Sequence, residues 1–186
     1  MPRGLCISDM GRVIAAVRTE AEFEAAVTSP ASLIFDLAPD LMKLPARIKR
    51  ARAADKKLFL HIDLAKGIGR DESGLLFLRG LGVDGIVSTK VSIIKQAREK
   101  GLFTVQRFFI VDSQSVHTTV EAVKASSPDV IEVMPGIACK VIAHLHRELD
   151  IPLIAGGLIE NREEAEAAIN SGAAAVSTGK EELWSF

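Results

Sequence analysis

Apolar residues along this 186-residue chain fall into two kinds of run, in alternation. Short runs rich in Val, Ile, Leu and Phe read as buried strands. They cover 13–17 (VIAAV), 32–37 (SLIFDL), 57–64 (KLFLHIDL), 84–88 (DGIVS), 102–111 (LFTVQRFFIV), 129–134 (DVIEVM), 152–155 (PLIA) and 173–177 (AAAVS). Between them, apolar positions recur every three or four residues, the spacing of one helix face. This predicts helices over 20–27, 40–54, 72–81, 90–100, 114–126, 137–149 and 162–171. The stripe of 40–54 is Leu41, Leu44, Ile48 and Ala51; the helix 72–81 contains Leu75, Leu76 and Leu78. Gly101 supplies a stop for the helix before it.

Strict strand–helix alternation implies parallel strands joined by helical crossovers. Eight such units suggest an α/β fold closed into a compact (β/α)8 TIM-type barrel. Such barrels usually take about 250 residues, with about 200 as the lower end. Each unit must therefore be short, and little chain is left for a last helix. An open doubly wound sheet is the structural alternative. No Gly/Ser- or Pro-rich linker divides the chain, so 1–186 reads as one domain.

Composition narrows the class. The chain is 48% hydrophobic and 25% charged, with a net charge of −1. That excludes a disordered tail. No apolar stretch approaches the roughly 18–20 residues of a spanning helix, so no membrane role is expected. The N-terminus lacks a long apolar region and carries Asp9, unlike a signal peptide. Cys6 and Cys139 have no framework spacing, which fits a reduced, cytoplasmic protein. A near-neutral total speaks against a simple polyanion binder, so any nucleic-acid site must be a local patch.

One such patch exists. Lys43, Arg47, Lys49, Arg50, Arg52, Lys56 and Lys57 are opposed only by Asp55. They leave the apolar stripe clear and are expected on the exposed face of the second helix. One reading is a solvated face; the other is a phosphate-backbone contact surface through Arg47, Lys49, Arg50 and Arg52. With no Tyr and one Trp, stacking of single-stranded bases is not expected there. Recognition of a folded RNA by shape and backbone fits better.

In a barrel, the site lies at the C-terminal ends of the strands. Ala-Gly-Gly-Leu-Ile at 155–159 and Ser-Thr-Gly at 177–179 match a phosphate site there. Gly156, Gly157 and Gly179 let backbone N–H groups approach an anion, Ser177 and Thr178 add hydroxyls, and a following helix N-terminus adds positive potential. Ordinary tight turns are the plainer reading. His61 and Asp63 are expected on one strand face, as a hydroxyl-binding or acid–base pair, or as a structural hydrogen bond. Gln106 and Arg107 must point to opposite faces; Arg107 either reaches a rim phosphate or pairs with an acid. Glu132 is a carboxylate in an apolar strand and needs a partner: Lys90, Arg107 or a ligand hydroxyl.

Several chemistries lack their signatures. Lys66-Gly-Ile-Gly-Arg-Asp-Glu fails the dinucleotide fingerprint, because Glu72 stands where the third glycine belongs. His144 and His146, two apart on a helix, face different ways, and no metal-ligand spacing is found. No strand carries a Schiff-base lysine. A phosphate-binding barrel enzyme, with His61 and Asp63 or Glu132 as acid and base, remains the alternative. A metabolite sensor acting through a protein partner is a third reading.

The residues also resemble a known family. Its motifs are matched by Phe-Leu-His-Ile-Asp-Leu-Ala-Lys-Gly-Ile (59–68), Asp-Gly-Ile-Val-Ser-Thr-Lys (84–90) and Val-Gln-Arg-Phe-Phe-Ile-Val-Asp-Ser (105–113). Ile-Glu-Val-Met-Pro-Gly (131–136), Pro-Leu-Ile-Ala-Gly-Gly-Leu-Ile (152–159) and Ala-Val-Ser-Thr-Gly with a later Leu-Trp complete the set. Together, from about 13 to 184, they resemble the glycerol-3-phosphate responsive antiterminators, the glycerol uptake operon regulators of bacteria. The resemblance implies a non-enzymatic, cytoplasmic barrel with glycerol 3-phosphate as effector and no other cofactor. It implies binding to the leader mRNA of glycerol-utilisation genes, with ligand favouring read-through of a terminator. On that reading Gly156, Gly157, Ser177, Thr178 and Gly179 hold the phosphate. His61, Asp63 and Glu132 meet the glycerol hydroxyls, and Lys90 offsets the dianion. Homo-oligomerisation is left open.

Overall fold

The computed structural model describes residues 10–186, so Cys6 and Asp9 lie outside the described residues. Eight strands run β1 (Val13–Val17), β2 (Leu33–Asp36), β3 (Lys57–His61), β4 (Gly85–Ser88), β5 (Phe103–Phe109), β6 (Val130–Met134), β7 (Leu153–Gly156) and β8 (Ala175–Thr178). The helices between them are α1 (Glu20–Thr28), α2 (Leu44–Ala53), α3 (Glu72–Leu81), α4 (Val91–Glu99), α5 (Ser113–Ser126), α6 (Cys139–Glu148) and α7 (Arg162–Asn170). The strands pair in sequence order, all parallel, and β8 closes on β1 with Val13 opposite Val176 and Ile14 opposite Ser177. Closure rules out the open sheet and makes this a TIM-type (β/α)8 barrel.

The strands are buried on both faces over most of their length, so they read as largely apolar runs rather than alternating ones. Along β1, Ile14 and Ala16 point into the barrel, where they join Leu33, Phe35, Phe59, Val105 and Ile154. Val13, Ala15 and Val17 point out, beneath the helices. Two cores therefore share one sheet. The inner one relies on aromatic bulk: Phe35 stacks on Phe59 with ring centroids 5.9 Å apart, and Phe103 tilts against Phe59 at 5.4 Å. Gly85 makes room for this, since a Cβ there would sit 2.8 Å from the Phe59 ring.

Short connections let so few residues close a barrel. α1 starts on a capping box, with the Thr19 side chain accepting from the Glu22 N–H and the Glu22 carboxylate accepting from the Thr19 N–H. α3 stops at Gly82, whose φ of +79° is left-handed. The eighth helix shrinks to a single 3-10 turn, Glu181–Leu183. Trp184 packs behind it, buried, and its indole N–H donates to the Thr178 carbonyl at 2.9 Å.

Two local expectations need correction. The third strand ends at His61 rather than 64, because Ile62–Leu64 turns into a 3-10 helix. The second helix starts at Leu44 rather than 40, with Pro45 in its first turn and Asp40 holding a turn ahead of it. In α3, Leu75 and Leu78 are buried and Leu76 faces outward. No described helix is long and apolar enough to cross a membrane.

Candidate functional site

The C-terminal ends of the strands open into a cavity of about 700 Å³. Gly157 to Glu160 after β7, and Ser177 to Lys180 at the end of β8, form one wall. Arg107, Phe109, Ile110 and Val111 form another, and Arg18 after β1 completes the rim. The structure thus brings together Gly157, Ser177, Thr178 and Gly179, as expected from the two glycine-bearing loops. Gly157 has φ +75° and Leu158 φ +61°. Among the described residues, the backbone N–H groups of Gly157 and Gly179 have no acceptor within the protein.

Beneath the cavity lies a charged floor. Glu132 of β6 is fully buried inside the barrel. Arg107 stands opposite it in the β5–β6 register, and Arg107 Nε donates to Glu132 Oε2 at 2.6 Å. Ser177 Oγ donates to Glu132 Oε1 at 2.5 Å. Gly156 faces the same space. A Cβ there would collide with Glu132 Oε1 and lie 2.7 Å from Ser177 Oγ. Gly156 thus makes room for this clamp and does not wall the cavity, a correction to its expected place beside the phosphate. Arg107 Nη2 and His61 Nδ1 are both buried, yet neither has a hydrogen-bond partner. A buried donor without a partner carries a desolvation cost that a ligand would relieve.

His61 lies within the charge field of this floor. Burial first, and then the positive charge of Arg107, push its pKa down to about 4; Asp63 opposes the shift. The imidazole is therefore neutral near pH 7. Its folded pKa lies below the unfolded one, so the unfolded chain takes up the proton first as pH falls. Stability present above about pH 6.5 is lost on descent to about pH 4, by roughly 3 kcal/mol. Urea unfolding at pH 7 and pH 4.5 should show this loss, and His61→Gln should flatten it. Equal slopes in both proteins would contradict the assignment.

Other expected residues are placed elsewhere. Asp63 does not share a strand face with His61, because the 3-10 turn carries it towards β4. There it accepts from Ser88 Oγ at 2.7 Å, the Thr89 N–H at 2.7 Å and Thr89 Oγ1 at 2.8 Å. Burial raises its pKa, but these hydrogen bonds outweigh burial and hold it below the usual carboxylate range. Lys90 is exposed at the start of α4 and does not line the cavity. The cations that do line it are Arg18, Arg107 and Lys180. Lys180 escaped the sequence reading, although it directly follows Ser-Thr-Gly.

The hydroxyls also differ from expectation. A hydroxyl has one proton to donate. Ser177 gives its proton to Glu132, and Thr178 Oγ1 donates to the Ile159 carbonyl at 2.9 Å, tying the two loops together. Neither donates to the cavity. Nor does a helix dipole add to the site after β8, since the 3-10 turn there opens on Glu181 and Glu182. The anion donors are backbone N–H groups and cationic side chains. Gln106 points outward, as alternation requires, and accepts from Ser126 Oγ. Among the described residues, no three His, Cys, Asp or Glu side chains gather as a metal site.

The basic second helix is less free than its composition suggests. Arg47 is buried, not exposed. Its Nη1 donates to Asp36 Oδ2 at 2.6 Å, its Nη2 donates to Glu20 Oε2 at 2.9 Å, and the guanidinium lies over the Phe23 ring at 4.8 Å. The cause is Asp36, an outward-facing carboxylate of β2 that needs a counter-charge under α2. Arg50 pairs with Glu24, and Arg52 donates to the Gly82 carbonyl. Lys49 is exposed and makes no ion pair among the described residues. Arg47→Glu should therefore cost more than about 3 kcal/mol of stability. Lys49→Glu should stay within about 0.5 kcal/mol of the parent. Denaturant midpoints of the two variants test this, and similar small losses would overturn the buried placement.

The comparisons with known proteins follow this geometry. The model of the family described as "Glycerol-3-phosphate responsive antiterminator" matches residues 13–184. A glycerol uptake operon antiterminator regulatory protein from Listeria monocytogenes has a similar structure, with a TM-score of 0.88 and 34% identity over 94% of this chain and 95% of that one. A glycerol uptake operon antiterminator-related protein from Thermotoga maritima superposes with a TM-score of 0.83 and 30% identity, covering 94% of this chain and 98% of that one. The uncharacterized protein YgcP of Escherichia coli is 39% identical over 175 residues, 94% of this chain and 92% of its own. The chain therefore belongs to the glycerol-3-phosphate responsive antiterminator family.

Proposed function

We propose that this protein is a cytoplasmic, non-enzymatic RNA-binding regulator that takes glycerol 3-phosphate as its effector and acts on the leader mRNA of glycerol-utilisation genes. The observation that carries the effector reading is Arg107. Its guanidinium is buried at the cavity floor, anchored to Glu132 through Nε, with Nη2 left for a ligand. Backbone N–H groups of Gly157 and Gly179, with Lys180 at the rim, would hold the phosphate. His61, neutral and with Nδ1 unpartnered, is buried below the cavity wall rather than in it, and would meet a glycerol hydroxyl only from beneath.

Glu132 already accepts from two donors and Asp63 from three, so neither stands ready as an acid–base catalyst; of the carboxylates that line the cavity, Glu22 is spent on the start of α1 and Glu160 lies 3.8 Å from Lys180. That supports a binding role over a catalytic one, as family membership does. Ligand seated across the loops after β7 and β8 would favour one arrangement of the mouth, and RNA binding to that state would be strengthened in proportion to the differential affinity. The exposed basic residues of α2, Lys49, Arg50 and Arg52, are the proposed phosphate-backbone contacts.

Titration calorimetry with sn-glycerol 3-phosphate tests the effector site; one saturable site is expected, and no heat at any concentration would overturn it. The triple variant Lys49→Glu, Arg50→Glu and Arg52→Glu should lose RNA retention and keep ligand affinity. Unaltered retention would move the RNA surface away from α2.

A further inference from the structure

We infer that the mouth of the barrel takes a glycerol phosphate carrying an apolar arm, a short hydrocarbon or acyl substituent, and that glycerol 3-phosphate alone fills only its polar half. This rests on the reading of the cavity as a phosphate site and extends it. The polar groups, Gly179, Lys180 and Arg18, lie on the β8 and β1 side, together with two carboxylates, Glu160 at 3.8 Å from Lys180 and Glu22, which accepts from the Arg18 and Thr19 N–H groups. The wall from β5 and β6 is of another character: Phe109, Ile110, Val111, Met134 and Pro135 line the same cavity. Ligands of drug size occupy cavities of about 300–1,000 Å³. At about 700 Å³, this one holds far more than a triose phosphate.

The apolar wall is also exposed at its outer edge. Phe109, Val111 and Leu158 are 60%, 84% and 64% accessible. Leu158 is unfavourable twice over: it shows an apolar side chain to water, and its φ of +61° is a left-handed conformation suited to Gly or Asn. A large side chain held in that conformation at a site calls for a functional account. Over a hydrocarbon arm, Leu158 would be buried on the side now open to water and would bridge the phosphate loop to Phe109. The arm is continuous with the phosphate site, because one cavity holds both sets of residues.

The test is calorimetry with inorganic phosphate, sn-glycerol 3-phosphate, its 1-hexanoyl ester and the hexyl phosphodiester of glycerol. At least one six-carbon compound should bind about tenfold or more tighter than glycerol 3-phosphate, as two or three buried methylenes suffice for that. Which one gains tells whether the arm leaves from the glycerol or from the phosphate. Phe109→Ser and Leu158→Asn, the latter at ease in the left-handed region, should abolish the gain and leave glycerol 3-phosphate affinity unchanged. Equal or weaker binding of both six-carbon compounds, with glycerol 3-phosphate still bound, overturns this inference and spares the phosphate site. Failure of all four compounds overturns both. Rim variants that change RNA retention but no ligand affinity would make the rim an RNA contact, and the inference would fall.

Discussion

Glu132→Ala should destabilise the barrel by about 3–5 kcal/mol, the cost of leaving a buried charge without its partner. Glu132 is fully buried and Arg107 nearly so, and the two are joined at 2.6 Å. Removing the carboxylate strands the guanidinium and frees the Ser177 hydroxyl as well. Glu132→Gln keeps the shape and acceptor oxygen but not the charge, so its loss should be smaller. A paired change, Glu132→Leu with Arg107→Met, should recover much of the stability, because it removes both charges from the interior. It should also abolish glycerol 3-phosphate binding, since Arg107 is the proposed ligand contact. Urea unfolding of the single and double variants measures the coupling directly. Additive losses would mean that the two groups do not act as a pair.

The second large effect concerns the loop after β7. Gly157→Val should reduce glycerol 3-phosphate affinity about a hundredfold, as expected when charge-assisted hydrogen bonds to an anion are lost. The cause is backbone conformation, not crowding. A Cβ at Gly157 would meet only Met134, at an ordinary 3.6 Å, whereas φ is +75°, a region a β-branched residue avoids. The loop would have to relax towards negative φ, and the peptide that carries its N–H would be reoriented. Stability should fall by only about 1–2 kcal/mol, since the loop is at the surface. Calorimetry on the folded variant separates these terms. Unchanged affinity would remove Gly157 from the phosphate site.

Much of this fold was legible because a two-sided core writes itself into the strands. β1 to β8 are mostly apolar, broken by a few polar residues such as Asp36, Arg107 and Glu132, and the first seven are each followed by helical spacing, so a closed barrel was expected from the runs. The glycine-bearing ends of β7 and β8 were legible for a similar reason: the strand ends place them at the mouth. Other features depend on contacts that no local pattern carries. Arg47 reads as one more cation in a basic helix until Asp36, eleven residues earlier, is seen facing outward beneath it. Gly156 reads as part of a phosphate loop until Glu132 and Ser177 are seen in the space of its missing Cβ. Asp63 was misplaced because 57–64 alternates smoothly, and nothing in that alternation marks the 3-10 turn at Ile62. Lys180 and the apolar rim were missed because single exposed residues have no period.

Ligand at the barrel mouth is expected to strengthen RNA binding elsewhere on the same molecule. Filter retention of the leader RNA of glycerol-utilisation genes by the purified protein, with and without sn-glycerol 3-phosphate across a salt series, tests it most directly. Retention should rise with ligand at every salt concentration and fall steadily as salt increases, as phosphate contacts require. Retention that ignores the ligand, or no retention at all, would contradict a metabolite-gated RNA binder.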